Sequence, residues 1–355
     1  MRKLWMSLAV LVLIASAFSF TSAQAPNGSS VVKLDPALDA IISPSAKLES
    51  LKTDYFGFVE GPVWVPQGPG YLLFSDIAAN RIYKWAPDGN LSVYMEKAGY
   101  TGTNANDVGA QMDNGRLNVI LVGPNALTLD TQGRLIICAE GDRTMVRIEK
   151  DGTRTTFADR YEGKRLNGPN DVVVKSDGAI YFTDQNSGLR NRDNSPAKEL
   201  TYHGVFMVKD NALQLLSKDP FGADPNGLAF SPDEKYLYVN GGAAGGKKYV
   251  VRFDVKPDDT LANGTIWADM TEDKAPGGPD GMKVDKKGNV YESGPGGIWI
   301  ISPEGKHLGT ILTPEVVANL AFGDTDSKTL YIVARRGLYK IRVNGEGIRP
   351  QPSMK

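Results

Sequence analysis

The sequence predicts an all-β fold: a six-bladed β-propeller with four antiparallel strands per blade and a last blade closed by an N-terminal strand. Three observations predict it. First, an oxygen-bearing residue recurs six times just before a short apolar strand: Glu60 in VEGPVWV, Asn125 in GPNALTLD, Asn170 in GPNDVVVK, Asn226 in DPNGLAFS, Asp280 in GPDGMKVD and Asn319 in VANLAFGD. Second, most copies lead through a turn into another strand, as in DTQGRLIIC, KSDGAIYFTD, SPDEKYLYVN, DKKGNVYES and DTDSKTLYIV. Third, the unit returns every ~40–55 residues, the spacing of propeller blades, save for a longer first interval that holds the insertion 97–123.

The elements follow in order. MRKLWMSLAVLVLIASAFSFTSAQA has a basic start, an apolar run from Leu8 to Phe20 and a small-residue site at Ala23-Gln24-Ala25. It predicts a secretory signal peptide over 1–25, hence a secreted or periplasmic protein with no membrane attachment after cleavage. Residues 26–45 read as a flexible leader, and 46–355 as one propeller domain. Blade one is GPVWVP, GYLLFSD, RIYKWAP and LSVYME, joined by PQGPG and PDGN. Asp-Gly pairs at Asp88-Gly89, Asp151-Gly152 and Asp177-Gly178 mark further hairpins. The final blade has three strands, ANLAFGD, LYIVAR and LYKIRV, so KLESLKTD at Lys47–Asp54 is expected to supply the fourth. If the recurring residues begin their strands at the top of the channel, the long irregular segments fall on that same face. They are the insertion 97–123, AEGDR, 185–203, GGAAGGKK and ESGPGG.

A chain of 355 residues exceeds one ordinary core, but a toroid packs blade on blade. Its net charge of −1 argues against nucleic acid or an anionic membrane as partner. A monomer or weak dimer acting on a small molecule is expected. Cys138, the single cysteine, allows no internal disulfide and reads as a buried thiol in the strand LIIC.

Equivalent positions of a propeller converge on its axis, so the six recurring side chains should meet. Glu60 and Asp280 then confine two carboxylates together, which calls for a cation between them. Carboxylate and amide oxygens select a hard ion, Ca²⁺ first, then Mg²⁺ or Mn²⁺, with Fe²⁺ and Zn²⁺ as further options. With only His203 and His307, a three-histidine zinc site is excluded. Any one of these asparagines alone would read as a turn residue or strand cap. Arg143, Asn167 and Tyr202 are candidate substrate contacts by position. His203 in TYHGVF, at the start of a strand, reads first as a hydrogen-bonded structural residue and second as a candidate for substrate binding or proton transfer.

The motifs EGPVW, LNGPNDVVV–SDG–YFTD, PNGLAFSPD and PDGMKVD, in this order, resemble the senescence marker protein/gluconolactonase/luciferin-regenerating family. The resemblance runs from about Lys47 to Val343. It implies a six-bladed propeller with one divalent cation held by Glu60, Asn170, Asn226 and Asp280. It implies further that Asp280 doubles as the acid/base residue, leaving Asn125 and Asn319 as channel lining or substrate contacts. Two departures concern the substrate: Gly168 stands where animal members carry arginine, and Cys138-Ala139-Glu140-Gly141 where many bacterial members carry histidine. The expected activity is metal-dependent opening of a sugar lactone such as an aldonolactone. The alternatives are hydrolysis of other esters, including organophosphate-type substrates, or a non-catalytic binding propeller whose ion only rigidifies the channel.

Overall fold

A computed structural model describes residues 30–350 apart from residue 244, so the expected signal peptide lies outside the described residues. Six sheets are arranged as blades. Blade one runs from Val59–Val65 through Tyr71–Asp76 and Arg81–Trp85 to Leu91–Glu96. The strands of blades two to five lie within 127–158, 169–218, 223–269 and 282–312. Blade six takes Val317–Gly323, Thr329–Ala334 and Gly337–Arg342 from the end of the chain and Glu49–Lys52 from near its start. The predicted N-terminal closure is therefore present.

Each first strand touches the first strands of both neighbouring blades, which closes the ring around the axis. Aromatic pairs cement the blade interfaces. Trp64 stacks on Tyr331 at 5.6 Å between blades one and six, and Tyr181 meets Phe230 edge-on at 4.9 Å between blades three and four. Tyr291 and Phe322 do the same at 5.0 Å between blades five and six. Such pairs add to the hydrophobic burial that holds neighbouring blades together.

The leader departs from expectation. From residue 30 onward it is ordered, because its apolar residues find a surface to cover. Val31–Lys33 pairs with His307–Leu312 as a fifth strand of blade five. A 3₁₀ turn at Pro36–Ala40 follows, its first free N–H capped by Asp35, which accepts from Ala37 at 2.8 Å. The turn buries Leu38, Ile41 and Ile42 against Tyr291, Ile298 and Leu308. At the other terminus the chain leaves blade six and passes beneath blade five, with Gly347 N–H donating to Ser327 and Ile348 N–H to Val284.

His307, on the outer strand of blade five, stacks on Trp299 with ring centres 3.6 Å apart. Burial pulls its pKa from 6.5 down to about 4. The folded chain therefore keeps the ring neutral where the unfolded chain would protonate it. Its contribution to stability is present above pH 6.5 and is lost as pH falls toward 4. A His307→Phe variant, which keeps the stack, should show a flatter fall of Tm across that window. A difference from the parent that does not change with pH would contradict this.

Candidate metal centre

Four of the six recurring residues are redirected by the same local structure. The first strand is bulged where the residue sits: between Glu60 and Val63, Pro169 and Val172, Pro225 and Leu228, and Val317 and Asn319. A bulge twists the strand and redirects one side chain out of the ladder. Neighbouring blades then lock the positions together. Ser75 donates to the Asn125 carbonyl at 2.6 Å, Thr183 to the Asn226 carbonyl at 2.7 Å and Asn240 to the Asp280 carbonyl at 2.6 Å. The glycines that follow have a packing reason. A Cβ on Gly61 would overlap the backbone of Asn125 and Ala126, and one on Gly227 the carbonyl of Asp280. These are points where one blade meets the next, rather than turn glycines.

Glu60, Asn125, Asn170 and Asn319 are buried, whereas Asn226 and Asp280 keep partial exposure at the mouth. Burial pushes the Glu60 carboxyl up to about 7, with the charges of Asp171 and Glu140 adding to the rise. The N–H of Gly61, 2.8 Å from Glu60 Oε2, and the Asn319 amide oppose it. Asp280 is raised well above the carboxylate range, by burial first and by repulsion from Glu60 second, against the pull of Arg335 and the Asn226 amide. Structure thus brings Glu60, Asn226 and Asp280 into mutual interaction. Asn125 turns aside to donate to Glu140 Oε2 at 2.9 Å, and Asn319 Oδ1 accepts from Lys283 at 3.3 Å.

The substrate contacts expected from position are mostly committed elsewhere. Arg143 is buried and donates to the carbonyls of Leu166 at 2.6 Å and Ala197 at 2.8 Å, so it ties loops together and does not face the channel. Asn167 is fully buried with its amide N–H on the Tyr202 carbonyl at 2.8 Å. Tyr202 packs half-buried against the apolar cluster between blades two and three, with Lys218 over its ring. His203 has both ring nitrogens engaged, Nε2 by Asp193 at 2.9 Å and Nδ1 by Asp224 at 2.5 Å. Burial opposes its charge, but the two carboxylates outweigh burial and raise its pKa. That pairing leaves no ring nitrogen open for proton transfer to a substrate.

A set of acids went unread in the sequence. Asp171, beside Asn170, Glu140 and Asp184, at the ends of second strands, and Glu292, within one, are all buried with raised pKa values, burial being the main cause. Among the described residues, Glu140 Oε1, Asp171 Oδ2 and Glu292 Oε2 have no hydrogen-bond partner. Lys283, also unread, faces Asp171 and Glu292 from the strand after Asp280. The second-strand signal was available, since each acid follows a run of the LIICAE, YFTD or VYE type.

The described residues hold no cluster of three or more His, Cys, Asp and Glu able to bind a metal. An ion on the axis needs amide oxygens besides carboxylates, and the residues present fit that need. Glu60 and Asp280 are desolvated, repel one another and stand among asparagine side chains, a set suited to a hard divalent cation. A cavity of about 270 Å³ opens at the opposite end of the channel, lined by Val63, Leu129, Val174, Phe230 and Phe322. None of the six recurring residues lines it, although Lys283 does.

Residues 58–336 match the family described as the SMP-30/Gluconolactonase/LRE-like region. The chain belongs to this family. Within it, the chain is 35% identical to a gluconolactonase of Zymomonas mobilis, over 98% of both chains. It is 25% identical to the pentonolactonase XacC of Haloferax volcanii, over 78% of this chain and 81% of that one. Among solved structures, a gluconolactonase of Xanthomonas campestris superposes with a TM-score of 0.71 at 30% identity, covering 88% of this chain and 94% of that one. The calcium-binding regucalcin of Agrobacterium tumefaciens, at 16% identity with a TM-score of 0.64 and coverage of 86% and 97%, shares the family fold.

Proposed function

We propose that this chain is an exported lactone hydrolase that holds one divalent cation on the propeller axis and opens a sugar lactone. The observation that carries the reading is the pair of desolvated, mutually repelling carboxylates, Glu60 and Asp280, in an amide-lined channel mouth. Kinship with gluconolactonases over nearly the whole chain supports the lactone. The basic start, apolar run and Ala23-Gln24-Ala25 site support export.

Glu60, Asn170, Asn226 and Asp280 would hold the cation, Ca²⁺ by the hardness of the donors. When bound, it supplies a positive charge that polarises the lactone carbonyl and offsets both carboxylates. The chain's own residues do the rest. Asp280, at the mouth and bonded to the Asn226 amide, is placed to take a proton from the attacking water. As the carbonyl carbon gains the water oxygen, its bond to the ring oxygen breaks. Asp280 returns the proton to that oxygen, and one hydroxy acid leaves. Glu60 is fixed by the Gly61 N–H and carries charge without moving a proton.

The test is hydrolysis of a panel of aldonolactones by the chain lacking 1–25, read with a pH indicator. It is run after chelation and again with Ca²⁺, Mg²⁺, Mn²⁺, Fe²⁺ or Zn²⁺ restored. Turnover lost on chelation and recovered with one ion is the expected result. Turnover untouched by thorough chelation would overturn the metal. No turnover of any lactone with any ion would leave another ester substrate or a binding propeller.

A further inference from the structure

Arg335 occupies a two-residue turn between Thr329–Ala334 and Gly337–Arg342, where Ala334 pairs with Gly337. Its φ is +45°. Tight hairpin turns place glycine or asparagine in such a conformation, and a residue with a Cβ there meets steric resistance. Backbone strain of this kind persists where surrounding contacts hold it, often beside a functional site.

Those contacts lie at the channel mouth. The Arg335 carbonyl accepts from the N–H of Val59 at 2.8 Å, one residue before Glu60. Its guanidinium lies over the Phe58 ring at 5.0 Å, and Nη1 donates to the Asp113 carbonyl at 2.6 Å. Asp113 belongs to the insertion hairpin, whose Met112 and Val119 pack with Phe58 and with Ala318, the neighbour of Asn319. The same insertion is bonded to blade three through Gly109 and Ala110, which donate to the carbonyls of Gly188 and Ser187. It thus walls one side of the mouth and steadies the arginine.

The adjacent Arg336 is consumed by Asp54 and Glu315. Arg335 differs. Among the described residues no carboxylate oxygen lies within 4.0 Å of it, and it remains partly exposed. Its charge is felt at Asp280. A guanidinium with unused N–H donors, held rigidly at the mouth of the channel, is suited to a planar, two-oxygen anion.

We propose that Arg335 recognises the carboxylate of an open-chain polyhydroxy acid, the product of lactone opening; the inference rests on the lactone-hydrolase reading above. A neutral lactone carries no carboxylate, so the arginine governs how tightly product is retained more than how substrate is captured.

The probe is gluconate, titrated calorimetrically and also used as an inhibitor of lactone hydrolysis, with the parent, Arg335→Gln and Arg335→Lys. Gluconate binding should weaken, and its inhibition constant rise, about tenfold in the glutamine variant, the loss of one charge-assisted contact. The lysine variant should fall between, and KM for the lactone should move less than the inhibition constant. Equal gluconate affinity in parent and variants, or none in the parent, would overturn the inference, and lactone turnover by the parent would then leave the hydrolase reading standing. Conversely, absence of lactone turnover with gluconate binding still weakened in the variants would sink the hydrolase reading and keep the carboxylate site.

Discussion

Asp280→Asn is expected to lower kcat for lactone opening by ~10²–10⁴-fold, the usual contribution of a positioned acid/base group. The fold should survive, and the chelated variant should melt no lower than the chelated parent. The reason lies in the charges at the channel mouth. Asp280 is raised by burial and by Glu60, so its ionised form is costly to the cation-free fold. Asparagine keeps the shape, can still accept from the Asn226 amide through its oxygen and removes one of the two repelling charges. The same change takes a carboxylate from the cation, so the rise in Tm on adding Ca²⁺ should shrink. Thermal scans with and without Ca²⁺, beside single-turnover rates, separate the two effects. A variant with parental kcat would show that Asp280 moves no proton in the reaction. Loss of the cation's stabilisation with kcat retained would leave a plug in the channel and no catalytic role.

Removing residues 30–54 should lower Tm by more than 10 °C or leave the chain insoluble, in keeping with a loss of several kcal/mol. Two blades lose a strand at once. Blade six is left with three strands and an open edge along Gly337–Arg342. Blade five loses its fifth strand and the cover of Leu38, Ile41 and Ile42. Each such side chain contributes about 1.5–3 kcal/mol when buried, an upper estimate against a compact unfolded chain. Removing only 30–45 spares the Glu49–Lys52 strand and should cost visibly less. Calorimetric scans of the two truncations rank the contributions, and a 30–54 deletion as stable as the parent would contradict the closure of blade six by the N-terminal strand.

Much of this was legible because a propeller writes its plan repeatedly. Glu60, Asn125, Asn170, Asn226, Asp280 and Asn319 stand out through recurrence in a common slot, and the missing strand of blade six pointed back to Lys47–Asp54. The choice of Glu60, Asn170, Asn226 and Asp280 among them comes from the family resemblance. Other features depend on partners far away in sequence. Nothing near Arg143 reveals that the carbonyls of Leu166 and Ala197 await it. His203 reads from sequence as a hydrogen-bonded structural residue, but its partners, Asp193 and Asp224, are named only by the fold. The buried acids Glu140 and Glu292 both come from second strands but share no slot, since Glu292 lies opposite Met282 inside its strand and Glu140 just past Leu135–Ala139. Other blades place Ser75 or Asn240 in that strand, where a neutral donor bonds the next blade, so no recurrence flags the acids. The leader misled because three apolar residues, Leu38, Ile41 and Ile42, scattered among Pro, Ser and Asp look too sparse to fold until blade five offers them a surface.

The pairing of Glu49–Lys52 with Gly337–Arg342 also has a consequence in time. Glu49–Lys52 leaves the ribosome long before its partner and must wait for it. Blades one to five can form from local hairpins, but the circle cannot lock until Gly337–Arg342 is available. Contacts between such distant residues make folding slow and postpone it past synthesis. Until then the polypeptide stays threadable, a state that translocation through a membrane channel before folding would exploit.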